Sequence, residues 1–155
     1  MTKWLSEDEQ VQWRAYFTAT ELVRNALNQD LMDKQGLSFA EYEILVRLSE
    51  APDQTLRMSE LADKTLSSRS RLSHQVSRLE DRGWVQRSPC AEDGRGLNAT
   101  LTEAGMAKLV KAAPDHVEGV RQLLLEPLTD AEYESLGRAC QKIAAAIDPT
   151  GDRWA

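Results

Sequence analysis

Residues 67–87 read SSRSRLSHQVSRLEDRGWVQR, and this stretch decides the fold. Leu72, Val76 and Leu79 recur at the i, i+4, i+7 spacing of one helical face, which predicts a helix over residues 67–82 with that face buried. Gly83 is expected to end this helix, because glycine closes helices in the left-handed conformation. Residues 84–87 then predict a strand, so a helix leads almost directly into a strand.

The segments on either side complete a supersecondary pattern. Residues 58–64 predict a short helix with Ser59 as its N-cap, and residues 97–101 alternate like a second strand. Residues 88–96 contain one proline and two glycines, which is typical of a hairpin tip. A short helix, a turn, a longer helix and a two-stranded wing together predict a winged helix-turn-helix.

Further helices surround this pattern. Ser/Thr-x-x-Glu capping boxes at residues 6–9, 38–41 and 129–132 each predict the start of a helix, because such a box satisfies two orphan amides reciprocally. The first of these helices is expected over residues 7–35, and residues 102–125 predict another. The predicted fold class is therefore mainly α with a small β-hairpin wing.

Composition and charge restrict the function. The chain has 155 residues, 28% of them charged, and a formal net charge of −6. This charge excludes a general cationic coat for nucleic acid, so any nucleic-acid binding must come from a local patch. Two cysteines and two histidines are too few for a disulfide framework or a dedicated metal centre. Without a long apolar span or a secretory signal, a cytoplasmic protein with reduced thiols is expected.

One stretch of the chain has the opposite charge. Residues 57–95 contain eight Lys or Arg against six Asp or Glu, and residues 64–79 contain four Lys or Arg and no acid. On a helical wheel the outward side chains are Ser70, Arg71, His74 and Arg78, with Ser67 and Ser77 beside them. Arginine matches the acceptors of guanine, and serine and histidine can bind bases or phosphates. This predicts a DNA-reading face; a solvated face with chance basic residues is the alternative.

The hairpin tip carries Glu92-Asp93-Gly94-Arg95-Gly96. Flexible glycines flank one long cation, so Arg95 is predicted to enter a DNA minor groove, where negative potential is concentrated. Asp93 is predicted to pair with a nearby arginine and to stabilise the wing. An ordinary polar turn is the alternative.

Four motifs in combination point to a family. They are residues 58–62 (MSELA), residues 76–87 (VSRLEDRGWVQR), the tip at 92–96 and residues 101–105 (LTEAG). The chain resembles the MarR family of bacterial transcriptional regulators over about residues 7–147. An Asp-x-Arg in the wing followed by Leu-Thr-x-x-Gly is the specific part of this resemblance.

The resemblance implies a homodimer that binds double-stranded DNA at an inverted-repeat operator, usually as a repressor released by a small aromatic or phenolic anion, with no cofactor. In the implied layout of the single domain 1–155, residues 7–35 and 103–147 form dimerisation helices and residues 38–102 form the winged part. The implied DNA contacts are Ser70, Arg71, Ser73, His74, Arg78 and Arg95, and Ser67 and Arg69 are predicted to join them. Gly94 stands where relatives often have arginine, so a weaker grip on phosphate is expected.

The flanking helices carry apolar faces that a small winged domain cannot cover, which also predicts a dimer. The expected interface residues are Leu22, Leu27, Leu123, Leu124, Leu128, Leu136, Ile143 and Ile147. A pocket for the effector is predicted where these helices meet the winged part. Its expected residues are Trp13, Tyr16, Phe17, Phe39 and His116, with Arg14 and Arg24 as further cations; plain core packing is the alternative.

Other functions are weighed against DNA regulation. No phosphate loop, catalytic triad or metal cluster is evident in the sequence, so an enzyme is not expected. A winged-helix protein-interaction module without DNA binding and a thiol-based redox regulator acting through Cys90 stay open. Cys90 is predicted to be exposed, and Cys140 to be a small core or interface residue. Because relatives that sense peroxide carry a cysteine in the first helix and this chain has none there, that mechanism is not expected.

Overall fold

The computed structural model describes residues 1–91 and 94–151. The helices are α1 (Glu7–Gln35), α2 (Phe39–Glu50), α3 (Met58–Lys64), α4 (Arg69–Asp81), α5 (Glu103–Val120) and α6 (Asp130–Ile147). The strands are β1 (Thr55–Arg57), β2 (Val85–Pro89) and β3 (Leu97–Leu101); a 3-10 turn at Pro52–Gln54 precedes β1, and a π-helical turn at Arg121–Leu125 extends α5. The mainly α fold with a small wing is thereby confirmed. Within the described residues, no helix combines the length and apolarity needed to cross a membrane.

The predicted helix starts are confirmed where a capping box marks them. Ser6, Ser38 and Thr129 are N-caps, each with a reciprocal bond from the glutamate three residues later. Ser59 is not the cap of α3, which was a wrong prediction. Arg57 occupies that position without any side-chain cap, because β1 leads straight into α3.

The longer helix of the helix-turn-helix begins two residues later than predicted. Ser68 is its N-cap, and the Ser68 hydroxyl accepts a hydrogen bond from the Arg71 N–H at 3.3 Å. Ser67 belongs instead to the turn before α4, where its N–H donates to the Ala62 carbonyl at 2.9 Å.

The wing is a three-stranded antiparallel sheet rather than a two-stranded hairpin. Its order is β1-β3-β2, with Leu56 opposite Ala99 and Val85 opposite Leu101. The sequence prediction missed β1 because this strand has three residues and pairs with a strand more than forty residues away. The extra strand fixes the base of the wing to the start of α3.

The core lies between the helix-turn-helix, the sheet and the inner faces of α1, α2 and α5. Leu72, Val76 and Leu79 are fully buried in it, as the spacing predicted. They hold α4 so that its opposite face points outward.

The flanking helices carry apolar side chains that stay exposed in one protomer. Leu22, Leu123, Leu136, Ile143 and Ile147 are exposed, and no residue of α6 is buried. Leu124 and Leu128 are half-buried. Leu27 was wrongly assigned to this exposed set: it is buried within the protomer, where α1 crosses α5 closely and Leu27 Cδ2 lies 3.0 Å from the position of a Cβ built on Gly119.

Cys90 is buried, contrary to the prediction, with 5% of its surface exposed. Its N–H donates to the Gly96 carbonyl at 2.8 Å, which closes the hairpin tightly at this point. Cys90 lies beside residues of β1 and β3, including Arg57 and Asn98. Cys140 is exposed in the protomer and is not a core residue.

The Leu-Thr-x-x-Gly motif has a steric reason. The Thr102 hydroxyl donates to the Gly83 carbonyl at 2.7 Å and accepts from the Gly105 N–H at 3.0 Å. A Cβ on Gly105 would lie 2.0 Å from the Trp84 carbonyl oxygen. Glycine is therefore required where α5 packs against the turn that follows α4.

We expect Gly105→Ala to lower the free energy of unfolding by about 1–3 kcal/mol, because the added methyl group meets backbone that cannot move away. Chemical denaturation monitored by circular dichroism measures this loss. Ala107→Ser, at an exposed position of the same helix, is the control and should change little. Equal stability of Gly105→Ala and wild type would contradict the close contact.

Candidate nucleic-acid interface

The outward face of α4 is the centre of the candidate interface. Ser70, Arg71, His74 and Arg78 are exposed there, as the helical wheel predicted. The side chains of Arg69 and Arg71 make no hydrogen bond or ion pair with any described residue. Two guanidinium groups at the N-terminal end of α4 are therefore available to a ligand.

Arg78 is exposed and also forms an ion pair with a residue of α2. Its Nε lies 3.2 Å from Oε1 of Glu41 on α2, while 49% of its side chain remains exposed. Glu41 is buried, with 1% of its surface exposed. Arg78 therefore combines an internal ion pair with an outward surface, which the sequence alone did not indicate.

A second arginine fastens the wing to α4. The Arg87 Nε donates to Glu80 Oε2 at 2.7 Å, its Nη2 to the Ser77 hydroxyl at 2.8 Å, and its Nη1 to the Ser73 hydroxyl at 3.4 Å. The hydrogen bonds from the Arg87 side chain and backbone N–H hold the pKa of the Glu80 carboxyl below its ordinary value. Ser73 is accordingly half-buried and takes part in an internal network. Ser70 faces outward, and its hydroxyl lies 3.4 Å from the Ser68 hydroxyl.

A groove of about 310 Å³ separates α4 from the wing. It brings together Arg69, Ser73 and Arg95 from the predicted set and adds Arg57 and Arg87. Guanidinium groups collected along a groove suit the phosphates of a nucleic-acid backbone. The sequence did not predict Arg57 as a residue of this groove, because its position at the end of β1 could be recognised only from the pairing of β1 with β3.

The remaining predicted DNA residues lie at the two ends of this surface. Ser67 is half-buried in the turn before α4, and its hydroxyl lies 3.4 Å from the Thr65 carbonyl oxygen. Arg95 is exposed at the end of the hairpin, next to Gly94 in the left-handed conformation. Asp93, predicted to stabilise the wing, lies outside the described residues.

The predicted effector residues are only partly brought together. An apolar cavity of about 340 Å³ lies between α1, α2, the π-helical turn and α6. Tyr16 and Phe39 line it together with Arg24, Leu124, Leu136 and Cys140. The guanidinium carbon of Arg24 lies 5.9 Å from the centre of the Phe39 ring, so a cation borders the cavity.

Trp13, Phe17 and His116 do not line this cavity, so that part of the predicted set is wrong for it. Phe17 is turned about 100° around α1 from Tyr16. Trp13 packs against Phe17 with ring centres 5.6 Å apart, and both remain exposed. His116 packs instead against Tyr42 at 4.6 Å and Phe39 at 5.8 Å, and burial lowers its pKa below the ordinary value.

Comparisons with known proteins place this geometry in context. The sequence model of the MarR family matches residues 35–96. The structure of Sco3205, a MarR family transcriptional regulator from Streptomyces coelicolor in complex with DNA, is 40% identical and superposes with a TM-score of 0.91, covering 99% of this chain and 98% of that one.

Two curated regulators are similar in sequence. PecS of Dickeya dadantii, an HTH-type transcriptional regulator, is 32% identical over 117 residues, covering 74% of this chain and 69% of PecS. The transcriptional repressor MprA of Escherichia coli is 27% identical over 118 residues, covering 76% of this chain and 66% of MprA. Both relatives are regulators of transcription.

Proposed function

The chain belongs to the MarR family of transcriptional regulators, and on that premise we propose that it is a homodimeric repressor of an inverted-repeat DNA operator, released by a small aromatic anion. The observation that carries the proposal is the outward face of α4 from Arg69 to Arg78, a stretch without acidic residues, beside an arginine-lined groove. The DNA in the Sco3205 structure and the name of the MprA repressor support DNA binding and repression.

The proposed readout divides the interface into two parts. Arg71 and His74, exposed on α4, contact base edges in the major groove. Arg95 enters the minor groove, while Arg69 and Arg57 hold phosphates. Asp93 is proposed to stabilise the wing.

The proposed dimer uses residues 7–35 and 103–147, outside the winged part 38–102. Leu136, Ile143 and Ile147 recur on one face of α6 and are exposed in the protomer. An unpartnered apolar face on an 18-residue helix is unstable in water, so a second copy that covers it lowers the free energy. The two α4 helices of such a dimer would read half-sites about 10 bp apart.

We expect sedimentation equilibrium to give twice the 17.4 kDa chain mass at micromolar concentration. Ile143→Glu should shift the protein toward monomer, because it buries an unpaired charge in the interface. Gln141→Glu adds the same charge to the other side of α6 and should leave the dimer intact. A monomeric wild type would contradict the proposed assembly.

Selection from a random DNA library should yield an inverted repeat, on which single variants can be measured by fluorescence anisotropy. Arg71→Ala and His74→Ala should each weaken binding by about 1–3 kcal/mol and change the preferred base at one position of each half-site. Arg95→Ala should instead reduce the slope of log K against log salt by about one per lost contact.

Arg121→Ala, an exposed arginine outside the winged part, is the control and should change neither affinity nor base preference. Equal weakening of Arg71→Ala and His74→Ala on all sequences would make these residues phosphate contacts. If wild type bound no DNA even at low salt, the winged helix would be a protein-interaction module instead.

The proposed effector occupies the apolar cavity. Tyr16 and Phe39 offer aromatic surfaces, and Arg24 offers a cation for a carboxylate or phenolate. Such a ligand releases DNA only if it binds a splayed dimer more tightly than the DNA-competent dimer. The burial of Cys90 favours this mechanism over a thiol switch, because a buried thiol is poorly accessible to oxidants.

Salicylate titrated against the operator complex should release DNA, and Tyr16→Ala should raise the concentration for half-release by about tenfold, because an aromatic contact is lost. Trp13→Ala is the matched control, since Trp13 lies one turn away on α1 and does not line the cavity. Equal effects of both substitutions would place the ligand elsewhere. Release by peroxide that Cys90→Ser abolishes, without release by salicylate, would establish the thiol switch.

A further inference from the structure

Glu41 is a capping-box glutamate with an additional contact. Its Oε2 accepts from the Ser38 N–H at 2.9 Å and from the Ser38 hydroxyl at 3.0 Å. Its Oε1 has no hydrogen-bond partner among the described residues and lies 3.2 Å from the Arg78 Nε. One oxygen therefore serves the start of α2, and the other faces the helix proposed to read DNA.

Two other capping-box glutamates in the chain provide an internal comparison. Glu9 and Glu132 bond their own caps in the same manner at 2.7 and 2.9 Å, yet both are exposed. The capping box therefore requires neither burial nor an arginine. The burial of Glu41 against Arg78 needs a separate explanation, because a buried carboxylate carries a large desolvation penalty.

The geometry of Arg78 supplies that explanation. The Nε side of its guanidinium faces Glu41, while about half of the side chain is exposed on the outward face of α4. A guanidinium held on one side loses less rotamer entropy when its other side binds a ligand. Because the paired acid is buried, it directs the arginine outward without placing a carboxylate at the surface that faces DNA.

We propose that Glu41 is a positioning residue for DNA binding: it orients the Arg78 guanidinium toward a phosphate of the bound DNA. The proposal rests on the proposed DNA-binding function and adds a residue on α2 that does not itself touch DNA. Glu41 acts through Arg78, so the effect of changing Glu41 depends on the presence of Arg78.

The test is a double-mutant cycle on operator affinity with Glu41→Gln, Arg78→Met and the double variant. Each single variant should weaken operator binding by about tenfold and lower the slope of log K against log salt by about one. The affinity of the double variant should match that of Arg78→Met within about twofold. Glutamine keeps an oxygen that can accept from Ser38, so the cap of α2 is retained. Thermal unfolding establishes that each variant is folded.

Glu43→Gln is the matched control, because it removes the same charge from the same helix beside Arg24 and Arg47 rather than Arg78. It should leave affinity unchanged or slightly higher. Arg78→Lys gives a second measurement at a half-exposed position: it keeps the positive charge but lacks the Nε atom that lies 3.2 Å from Glu41 Oε1. It should lose about as much affinity as Glu41→Gln.

Unchanged or increased affinity in Glu41→Gln would overturn the inference. So would losses from Glu41→Gln that are equal with and without Arg78, or full affinity in Arg78→Lys. These outcomes leave wild-type operator binding, and hence the proposed function, intact. Absence of specific binding by wild type would overturn both.

Discussion

A cluster of interactions around Trp84 holds the C-terminal end of α1 against the winged part. Arg82 and Lys108 flank the Trp84 ring, with charged atoms 5.0 and 5.4 Å from its centre. Arg82 donates to the Gly36 carbonyl at 2.8 Å and Lys108 to the Gln35 carbonyl at 2.7 Å, so both cations also satisfy carbonyls at the C-terminal end of α1. Burial and the neighbouring cations hold the pKa of Lys108 below its ordinary value. The direction of α1 relative to the end of α4 therefore depends on this cluster.

The first turn of α2 makes a second connection between the two parts. The Phe39 N–H donates to Asn28 of α1 at 3.0 Å, and the Phe39 ring lines the apolar cavity. Two residues later, Glu41 faces Arg78 of α4. The cavity and the outward face of α4 are thus linked through a single helical turn. A ligand that displaced Phe39 would act on a segment that already contacts α4.

Local sequence signals determined much of the fold. The capping boxes placed the starts of α1, α2 and α6, because a cap is completed by residues three positions apart. The inward and outward faces of α4 are also set by residues close together in sequence, because its apolar side chains recur at helical spacing. The outward positions of Arg71 and His74 were therefore predictable. The motif that ends at Gly105 is also local, since it closes over Thr102 and the turn at Trp84.

Tertiary structure decided what depends on partners distant in the chain. The strand Thr55–Arg57 exists through its pairing with β3, and that pairing brings Arg57 into the groove. Leu27 is buried because α1 crosses α5 there, although its spacing matches that of exposed neighbours. The ion pair of Glu41 with Arg78 joins residues 37 positions apart. A sequence pattern shows which face of an element is apolar or charged, but the packing of elements determines which of those side chains meet.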